Sequence, residues 1–251
     1  MKKFNKKSLG QNFLVDRNII KKIIGLVKIK GKNIIEIGPG DGALTNEILK
    51  QNPKSLITIE KDRILSTKIS EKYFENKNFK NFNNDILKFD LEKLDLKNSI
   101  IIGNLPYNIS SQILVKILNF KKWPPDFEDV IFMFQKELGN KILGKYPTSD
   151  YGRISVLTNY RLYAKKKFDV SANCFFPKPK VNSTVIHFKP KKKSSFYIKD
   201  LKNLEKITSV LFSNKRKMIN KNIKKLFTQK QIKSLNQLDL KSRPTELNPE
   251  M

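Results

Sequence analysis

The stretch Ile100-Ile-Ile-Gly-Asn-Leu-Pro-Tyr-Asn-Ile109 decides the fold, because it joins an apolar run to a rigid polar turn. The run of isoleucines is typical of a parallel strand buried on both faces. Pro106 fixes its own φ and restricts Leu105, so the carbonyls of the turn are held before any ligand arrives. Open α/β sheets bind ligands outside the carboxyl ends of their strands. We therefore expect the chemistry at the end of this strand.

Two side chains of the same turn indicate the kind of ligand. Asn104 adds an acceptor beside the carbonyls, and Tyr107 adds a flat ring. Such a pair suits a planar base with an exocyclic amino group, hydrogen-bonded at its edge and stacked on its face. In a competing interpretation, Asn104 only caps the next helix and Tyr107 packs in the core. The turn alone leaves both open.

A glycine-rich turn follows the first predicted strand, Asn33-Ile-Ile-Glu-Ile-Gly38, and leads into a helix. Glycine lacks a Cβ and tolerates positive φ, so a nucleotide-like cofactor can approach the backbone of Gly38 and Gly40 closely. The spacing of these glycines and Ala43 also satisfies a loose dinucleotide fingerprint. An NAD-dependent dehydrogenase therefore stays open at this point.

Carboxylates stand at the ends of the next two predicted strands. Glu60 ends the strand 56–60, about 20 residues beyond the glycine turn, where an acid can accept from two ribose hydroxyls. It could also be an ordinary surface carboxylate. Asp85 ends the strand 79–85 in the same way and could accept from an adenine amino group.

The remaining patterns complete an α/β order with a helical end. Further strands are predicted at 129–134, 161–170 and 184–189, which makes seven in all. Helices are predicted at 17–27, at 63–74, at 111–119, from 135 and from 151. Three short amphipathic helices, 201–212, 218–227 and 229–235, follow a linker-like segment at 190–195.

Charge and rare residues narrow the class of function. The 251 residues carry a formal charge of +28. Lys189–Lys233 holds fifteen basic residues against two acidic ones, which favours a nucleic-acid surface, although a lysine-rich genome would also supply many of them. Cys174 and His187 are the only residues of their types, which argues against disulfides and a metal cluster. No run approaches the roughly 20 apolar residues of a membrane span, so we expect a cytoplasmic protein.

Several motifs, in this order, resemble the rRNA adenine dimethyltransferases that act on small-subunit rRNA. They are Leu9–Leu14, Glu36–Thr45, Gly103–Asn108, Gln135–Glu137, Tyr151–Ser155, Phe175–Ser183 and Phe212–Lys217. The resemblance implies a Rossmann-like class I methyltransferase with a seven-stranded sheet over residues 1–190 and a small, basic, all-helical RNA-binding domain over 191–251. It implies S-adenosylmethionine, which displaces NAD, and a monomer acting on 16S rRNA in a small ribosomal subunit or its precursor.

The resemblance also implies a role for each matching residue. Those around the cofactor are Gln11, Asn12, Leu14, Gly38, Gly40, Glu60, Asp85 and Asn104. Those around the target adenine are Asn104, Leu105, Pro106, Tyr107 and Phe175, with Tyr107 and Phe175 stacking on the flipped base. Those that bind RNA are Lys215, Arg216, Lys217 and Lys221. Phe175 and Phe176 precede prolines in one loop, and we expect the core to bury one of the two rings.

The sequence departs from the family pattern in three places. Lys141 and Lys215 stand where arginine is usual, which keeps the charge but loses bidentate phosphate contacts. Arg243–Met251 resembles the lead-in to the family's last helix, which predicts a shortened C-terminal domain.

Two other functions remain open. One is a large-subunit rRNA dimethyltransferase that confers antibiotic resistance, which shares the catalytic motifs. Tyr151–Arg153 and Phe175–Ser183 favour the small-subunit type. The other is an RNA-binding assembly factor that has lost its activity, against which the intact Asn104–Tyr107 motif argues.

Overall fold

The computed structural model describes residues 11–192, 198, 200–235 and 238–248. Contacts between Cα atoms divide the chain into two compact units. Unit 1 comprises Met1–Gly139 and Lys165–Pro190, and unit 2 comprises Asn140–Ala164 and Lys191–Met251. The chain therefore passes from unit 1 to unit 2 at the predicted boundary after residue 190, while residues 140–164 group with the C-terminal unit. The assignment of catalysis to 1–190 and RNA binding to 191–251 stays a prediction.

The strands follow the predicted order with two short additions. They are β1 (Phe13–Leu14), β2 (Asn33–Ile37), β3 (Ser55–Glu60), β4 (Phe79–Asn83), β5 (Ser99–Asn104), β6 (Phe127–Gln135), β7 (Leu162–Val170), β8 (Phe175–Phe176) and β9 (Ser183–Pro190). Seven of them form one sheet in the order β4-β3-β2-β5-β6-β9-β7, and β1 pairs with β8 in a separate two-stranded ribbon. The predicted seven-stranded α/β fold is confirmed.

The helices are short and alternate with the strands of the first half. They are α1 (Arg17–Ile24), α2 (Ala43–Lys50), α3 (Arg63–Lys72), α4 (Ser110–Leu118), α5 (Lys136–Leu143), α6 (Arg153–Arg161), α7 (Leu201–Leu211), α8 (Asn220–Ile223) and α9 (Gln229–Ser234). Single 3₁₀ turns lie at Leu91–Lys93, Ala172–Cys174, Phe212–Asn214 and Pro244–Glu246. The carboxylates of Asp16 and Asp62 cap α1 and α3, because each accepts hydrogen bonds from backbone amides of the first helical turn.

Parallel pairing brings the important strand ends together. β2 pairs in parallel with β3 and β5, β3 with β4, and β5 with β6, so their carboxyl ends meet at one edge. β5 lies in the middle, and Ile100, Ile101 and Ile102 are at most 1% exposed. Burial on both faces explains why this strand is a continuous apolar run without alternation.

Gly103 allows the β5 turn to lie close to the neighbouring strand. A Cβ at this position would stand 2.7 Å from the Leu105 side chain and 2.9 Å from the Ile37 carbonyl oxygen. Any larger residue would have to push β5 away from β2. The glycine therefore fixes where Asn104 emerges from the sheet.

Unit 2 has a small core of its own, built around Leu211, Ile219 and Ile223. The predicted helix over 218–227 is wrong in extent, because only Asn220–Ile223 is helical. The Ile219 amide donates to the Ser242 carbonyl instead of to a preceding turn. After residue 223 the amides of Lys225 and Leu226 bond three residues back and that of Phe227 bonds four residues back, so the chain continues as turns and not as a regular helix.

Candidate functional site

A cavity of about 160 Å³ lies at the carboxyl edge of the parallel strands. Every residue predicted to surround a cofactor lines it, namely Gln11, Asn12, Leu14, Gly38, Gly40, Glu60, Asp85 and Asn104. Leu105, Pro106 and Tyr107 line it as well. Unit 1 thus brings together residues nearly one hundred positions apart in the chain. Their individual roles stay predictions.

The glycine turn is held tightly between β1 and Glu60. Gly40 has a φ of 59°, in the left-handed region that favours glycine. A Cβ there would lie only 3.1 Å from the Phe13 ring. A side chain at this position would require the Phe13 ring to shift, so glycine lets the turn pack directly against β1.

Glu60 is buried at the end of β3 with part of its hydrogen-bonding capacity already used. Its Oε2 accepts from the Gly40 amide at 3.1 Å, and its Oε1 accepts from the Asp62 amide at 2.8 Å. A carboxylate oxygen has two lone-pair sites, so each can accept one further hydrogen bond. Burial raises the pKa of Glu60 above its ordinary value. These bonds fix an acceptor pair of the kind that two neighbouring hydroxyls need.

Asp85 is held by two neighbours just beyond β4. Its Oδ1 accepts from the Leu87 amide at 2.9 Å, and Lys61 Nζ lies 2.9 Å from its Oδ2. The hydrogen bond from Lys61 lowers the pKa of Asp85. The carboxylate is thus ionised at neutral pH and oriented at the same edge as Glu60. Lys61 also lines the cavity, which the sequence analysis did not anticipate.

Asn104 does not cap the following helix. Ile109 is the N-cap of α4, and no side chain caps it. Asn104 instead donates from Nδ2 to the Asn12 carbonyl oxygen at 3.1 Å. That bond fixes the orientation of the amide and leaves Oδ1 as an acceptor beside the carbonyls of the turn. The capping alternative for Asn104 is therefore wrong.

Tyr107 is half-buried and lines the cavity, so it is not a core residue. Its hydroxyl lies 2.6 Å from Ser183 Oγ, at the start of β9. Burial raises the pKa of the Tyr107 phenol. This hydrogen bond anchors the tip of the ring to the sheet, and the turn thereby gains a fixed aromatic wall.

Phe175 lies in the core, so its predicted stacking role stays untested by this structure. It is 3% exposed and belongs to the core cluster with Leu14, so the structure does not bring its ring to the cavity beside Tyr107. The reason is the pairing of β1 with β8, in which Phe175 faces Leu14 and Phe176 faces Phe13. Neighbouring strand residues point to opposite sides, so only one of the two rings can enter the core. Phe176 is the exposed one, at 50%.

Glu36 is a cavity residue that the sequence analysis did not select. It is 1% exposed within β2, and Thr45 Oγ1 donates to its Oε2 at 2.7 Å. Its Oε1 has no hydrogen-bond partner among the described residues. Burial raises the pKa of Glu36 to about 8. The sequence signal for Glu36 is an acid in the middle of an apolar strand. Burying such a group costs free energy unless a ligand or a protein partner forms hydrogen bonds with it.

The four predicted RNA-binding residues lie in unit 2. Arg216, Lys217 and Lys221 are exposed, while Lys215 is half-buried and donates from Nζ to the Ser149 carbonyl. Three cations are thus open to a polyanion, and one is engaged within its own unit. Their contact with RNA stays a prediction.

Within the described ranges, no group of three or more His, Cys, Asp or Glu side chains could hold a metal ion. His187 pairs with Asp129 at 2.6 Å and does not line the cavity.

No helix of the described part of the chain is long and apolar enough to cross a membrane.

Comparison with known proteins identifies the family. The model of the family described as ribosomal RNA adenine dimethylase matches residues 2–250. "Ribosomal RNA small subunit methyltransferase A" of Pelagibacter ubique (strain HTCC1062) is 42% identical over 250 residues, which cover 98% of this chain and 93% of that protein. The protein of the same name from Malacoplasma penetrans (strain HF-2) is 41% identical over 237 residues, which cover 92% of this chain and 82% of that protein.

A solved structure agrees with this result. The crystal structure of a dimethyladenosine transferase from Plasmodium falciparum superposes with a TM-score of 0.78 at 25% identity, covering 95% of this chain and 94% of that one. The chain therefore belongs to the ribosomal RNA adenine dimethylase family, and it is an S-adenosylmethionine-dependent rRNA adenine dimethyltransferase, as its motifs predict.

Proposed function

We propose that the enzyme methylates N6 of two adjacent adenosines in a hairpin loop near the 3′ end of 16S rRNA, giving N6,N6-dimethyladenosine during biogenesis of the small ribosomal subunit. It acts as a cytoplasmic monomer on the small subunit or its precursor. The observation that carries the chemistry is the Asn104 turn, whose residues line the cavity and whose amide is held by the Asn12 carbonyl. The choice of small-subunit rRNA is supported by the names of the two relatives.

The cavity fits S-adenosylmethionine through the chemistry of its own groups. Glu60 offers the two acceptors that ribose hydroxyls need, and ionised Asp85 offers one for the adenine amino group. The Oε1 of Glu36, which has no hydrogen-bond partner within the described ranges, can take an ammonium group, which would also favour the ionised form of this carboxyl. Gln11, Asn12 and Leu14 also line the cavity, and Gly38 and Gly40 admit the ligand to the backbone. When bound, the cofactor supplies a methyl group on a sulfonium centre.

The protein contributes acceptors for the target amino group. An exocyclic amine is a poor nucleophile, because its lone pair is delocalised into the ring. Asn104 Oδ1 and the Leu105 carbonyl accept its two N–H bonds, which favours a pyramidal nitrogen whose lone pair is free. Pro106 keeps the carbonyl in place. No strong base is required, since the proton can leave after the new N–C bond has formed.

The target base must leave its helix stack before it can reach this turn. Extrusion costs a few kcal/mol, and stacking in the pocket offsets part of that cost. Tyr107 supplies one face, held by its bond to Ser183. A stacking role for Phe175 would require this buried ring to leave the core.

Labelled S-adenosylmethionine tests the proposal directly. The enzyme is incubated with small subunits that lack the modification, with large-subunit rRNA, and without RNA. We expect label in dimethyladenosine of the small-subunit sample alone. Label in the large-subunit sample would favour the resistance-type methyltransferase. RNA binding with no label in any sample would favour the inactive assembly factor.

A further inference from the structure

The end of β8 and the loop after it present an exposed ring and two cations. Phe176 is 50% exposed and Val181 is 45% exposed. Lys178 and Lys180, between them, are both exposed. The whole segment Phe175–Ser183 contains no carboxylate. An aromatic face beside lysines on a carboxylate-free loop has the composition of a single-stranded nucleic-acid surface.

Hydrogen bonds hold both ends of this loop against the cavity. At one end, β8 pairs with β1, where Phe176 lies opposite the cavity residue Phe13. At the other end, Ser183 Oγ lies 2.6 Å from the Tyr107 hydroxyl. The Lys136 amide also donates to the Asn182 carbonyl at 2.9 Å. The loop is therefore fixed beside the turn that receives the target base.

Resting on the proposed function, we propose that Phe176, Lys178 and Lys180 bind the nucleotide next to the flipped adenosine. Its base stacks on the Phe176 ring, and the flanking phosphates contact the two lysines. Extruding one base removes a stacking partner from its neighbour, so that neighbour needs a new face. Pro177 and Pro179 restrict the loop, which reduces the conformational entropy lost on binding.

The aromatic contact is tested with unmethylated small subunits as substrate. Phe176→Ala should raise KM for the subunits roughly tenfold, in the range expected for stacking of one base. Saturated kcat, the Kd for S-adenosylmethionine and the melting temperature should stay close to the parent values. Phe176→Tyr keeps the ring and should restore KM. Phe74→Ala is the matched control, because Phe74 is 77% exposed and does not line the cavity.

The charge contact is tested with Lys178→Gln/Lys180→Gln. The slope of log affinity against log salt should become shallower by about 1.4, or about 0.7 for each phosphate that is no longer neutralised. The inference is overturned if KM of Phe176→Ala stays within twofold of the parent, or if the double variant keeps the parent's salt slope. In either case methylation by the parent enzyme leaves the proposed function standing, whereas a parent that does not methylate the subunits contradicts that function itself.

Discussion

The cavity of unit 1 and the basic residues of unit 2 present opposite kinds of surface to a ligand. Around the cavity, Glu60, Asp85 and Asn104 are each held by hydrogen bonds to neighbouring groups. In unit 2, Arg216 and Lys217 extend into solvent from a small apolar core. Fixed acceptors select one geometry, whereas exposed cations attract any polyanion. Substitutions in the first region should therefore change the reaction, and those in the second should change only its salt dependence.

The largest effect is expected for Asn104→Ala. The change removes one acceptor from the target amino group but leaves the basic residues in place. Bonds that act in the transition state are typically worth about 3–4 kcal/mol, so single-turnover methylation at saturating cofactor should fall on the order of 100-fold or more. RNA affinity, measured in parallel, should change much less. A rate within about tenfold of the parent would contradict the proposed role of Asn104.

An effect of similar size in free energy, but on stability instead of the reaction, is expected from pH. The pKa of Glu36 is about 8 in the folded protein and 4.5 when unfolded. Protonated Glu36 therefore adds to the free energy of unfolding in full below pH 4.5, and this contribution is lost as the pH rises towards 8. Glu36→Gln keeps the bond from Thr45 but cannot ionise. Between pH 4.5 and 8 the parent should lose on the order of 4 kcal/mol of unfolding free energy relative to the variant. Denaturant unfolding at several pH values measures this difference, and parallel curves would contradict it.

A smaller effect is expected for Glu60→Ala. Two hydroxyls of the cofactor lose a charged acceptor, so S-adenosylmethionine binding should weaken by roughly 1–3 kcal/mol. Calorimetry measures the loss directly. Glu60→Gln, which keeps one acceptor and the size of the side chain, should lie between the parent and Glu60→Ala. Equal affinities of all three proteins would remove Glu60 from the cofactor site.

The smallest effect is expected in unit 2. In the double variant Lys217→Gln/Lys221→Gln, the slope of log RNA affinity against log salt should become shallower by about 0.7 for each phosphate that is left without a cation. Cofactor affinity and the saturated rate should not change. Lys77→Gln, an exposed lysine of unit 1, serves as the control. If the control and the double variant behave alike, the cations of unit 2 are only a solvated surface.

The sequence predicted most of the sheet because its signals were strong and local. Ile100–Ile102 has no polar residue to interrupt it, Glu60 ends β3, and Asp85 stands just beyond β4. The ribbon of β1 and β8 could not be predicted in this way, since two residues show no periodicity. That omission also explains why the sequence did not show which of Phe175 and Phe176 the core buries, since the burial of Phe175 depends on pairing with a strand about 160 residues away in the chain.

Glu36 and Lys61 were missed for a different reason. Their importance comes from what surrounds them in space, which a linear pattern does not show. The Oε1 of Glu36 is unpartnered among the described residues only because the sheet and α2 enclose it. Lys61 becomes relevant once β3 and β4 place it 2.9 Å from Asp85. The surroundings of Glu36 and Lys61 depend on how the strands pair in the sheet. Glu60 and Asp85, in contrast, could be recognised from their positions at the ends of predicted strands.

The bond between Asn104 and the Asn12 carbonyl has a consequence for the timing of the two methyl transfers to one base. Asn12 belongs to the segment 11–14, whose residues Gln11, Asn12 and Leu14 line the cavity and are proposed to bind the cofactor. Spent cofactor must be replaced between transfers, and if it leaves past this segment, the Asn104 amide loses its restraint at the same moment. The half-modified adenosine would then be held least firmly during exchange. Release of a monomethylated product would therefore compete with the second transfer whenever fresh cofactor is scarce.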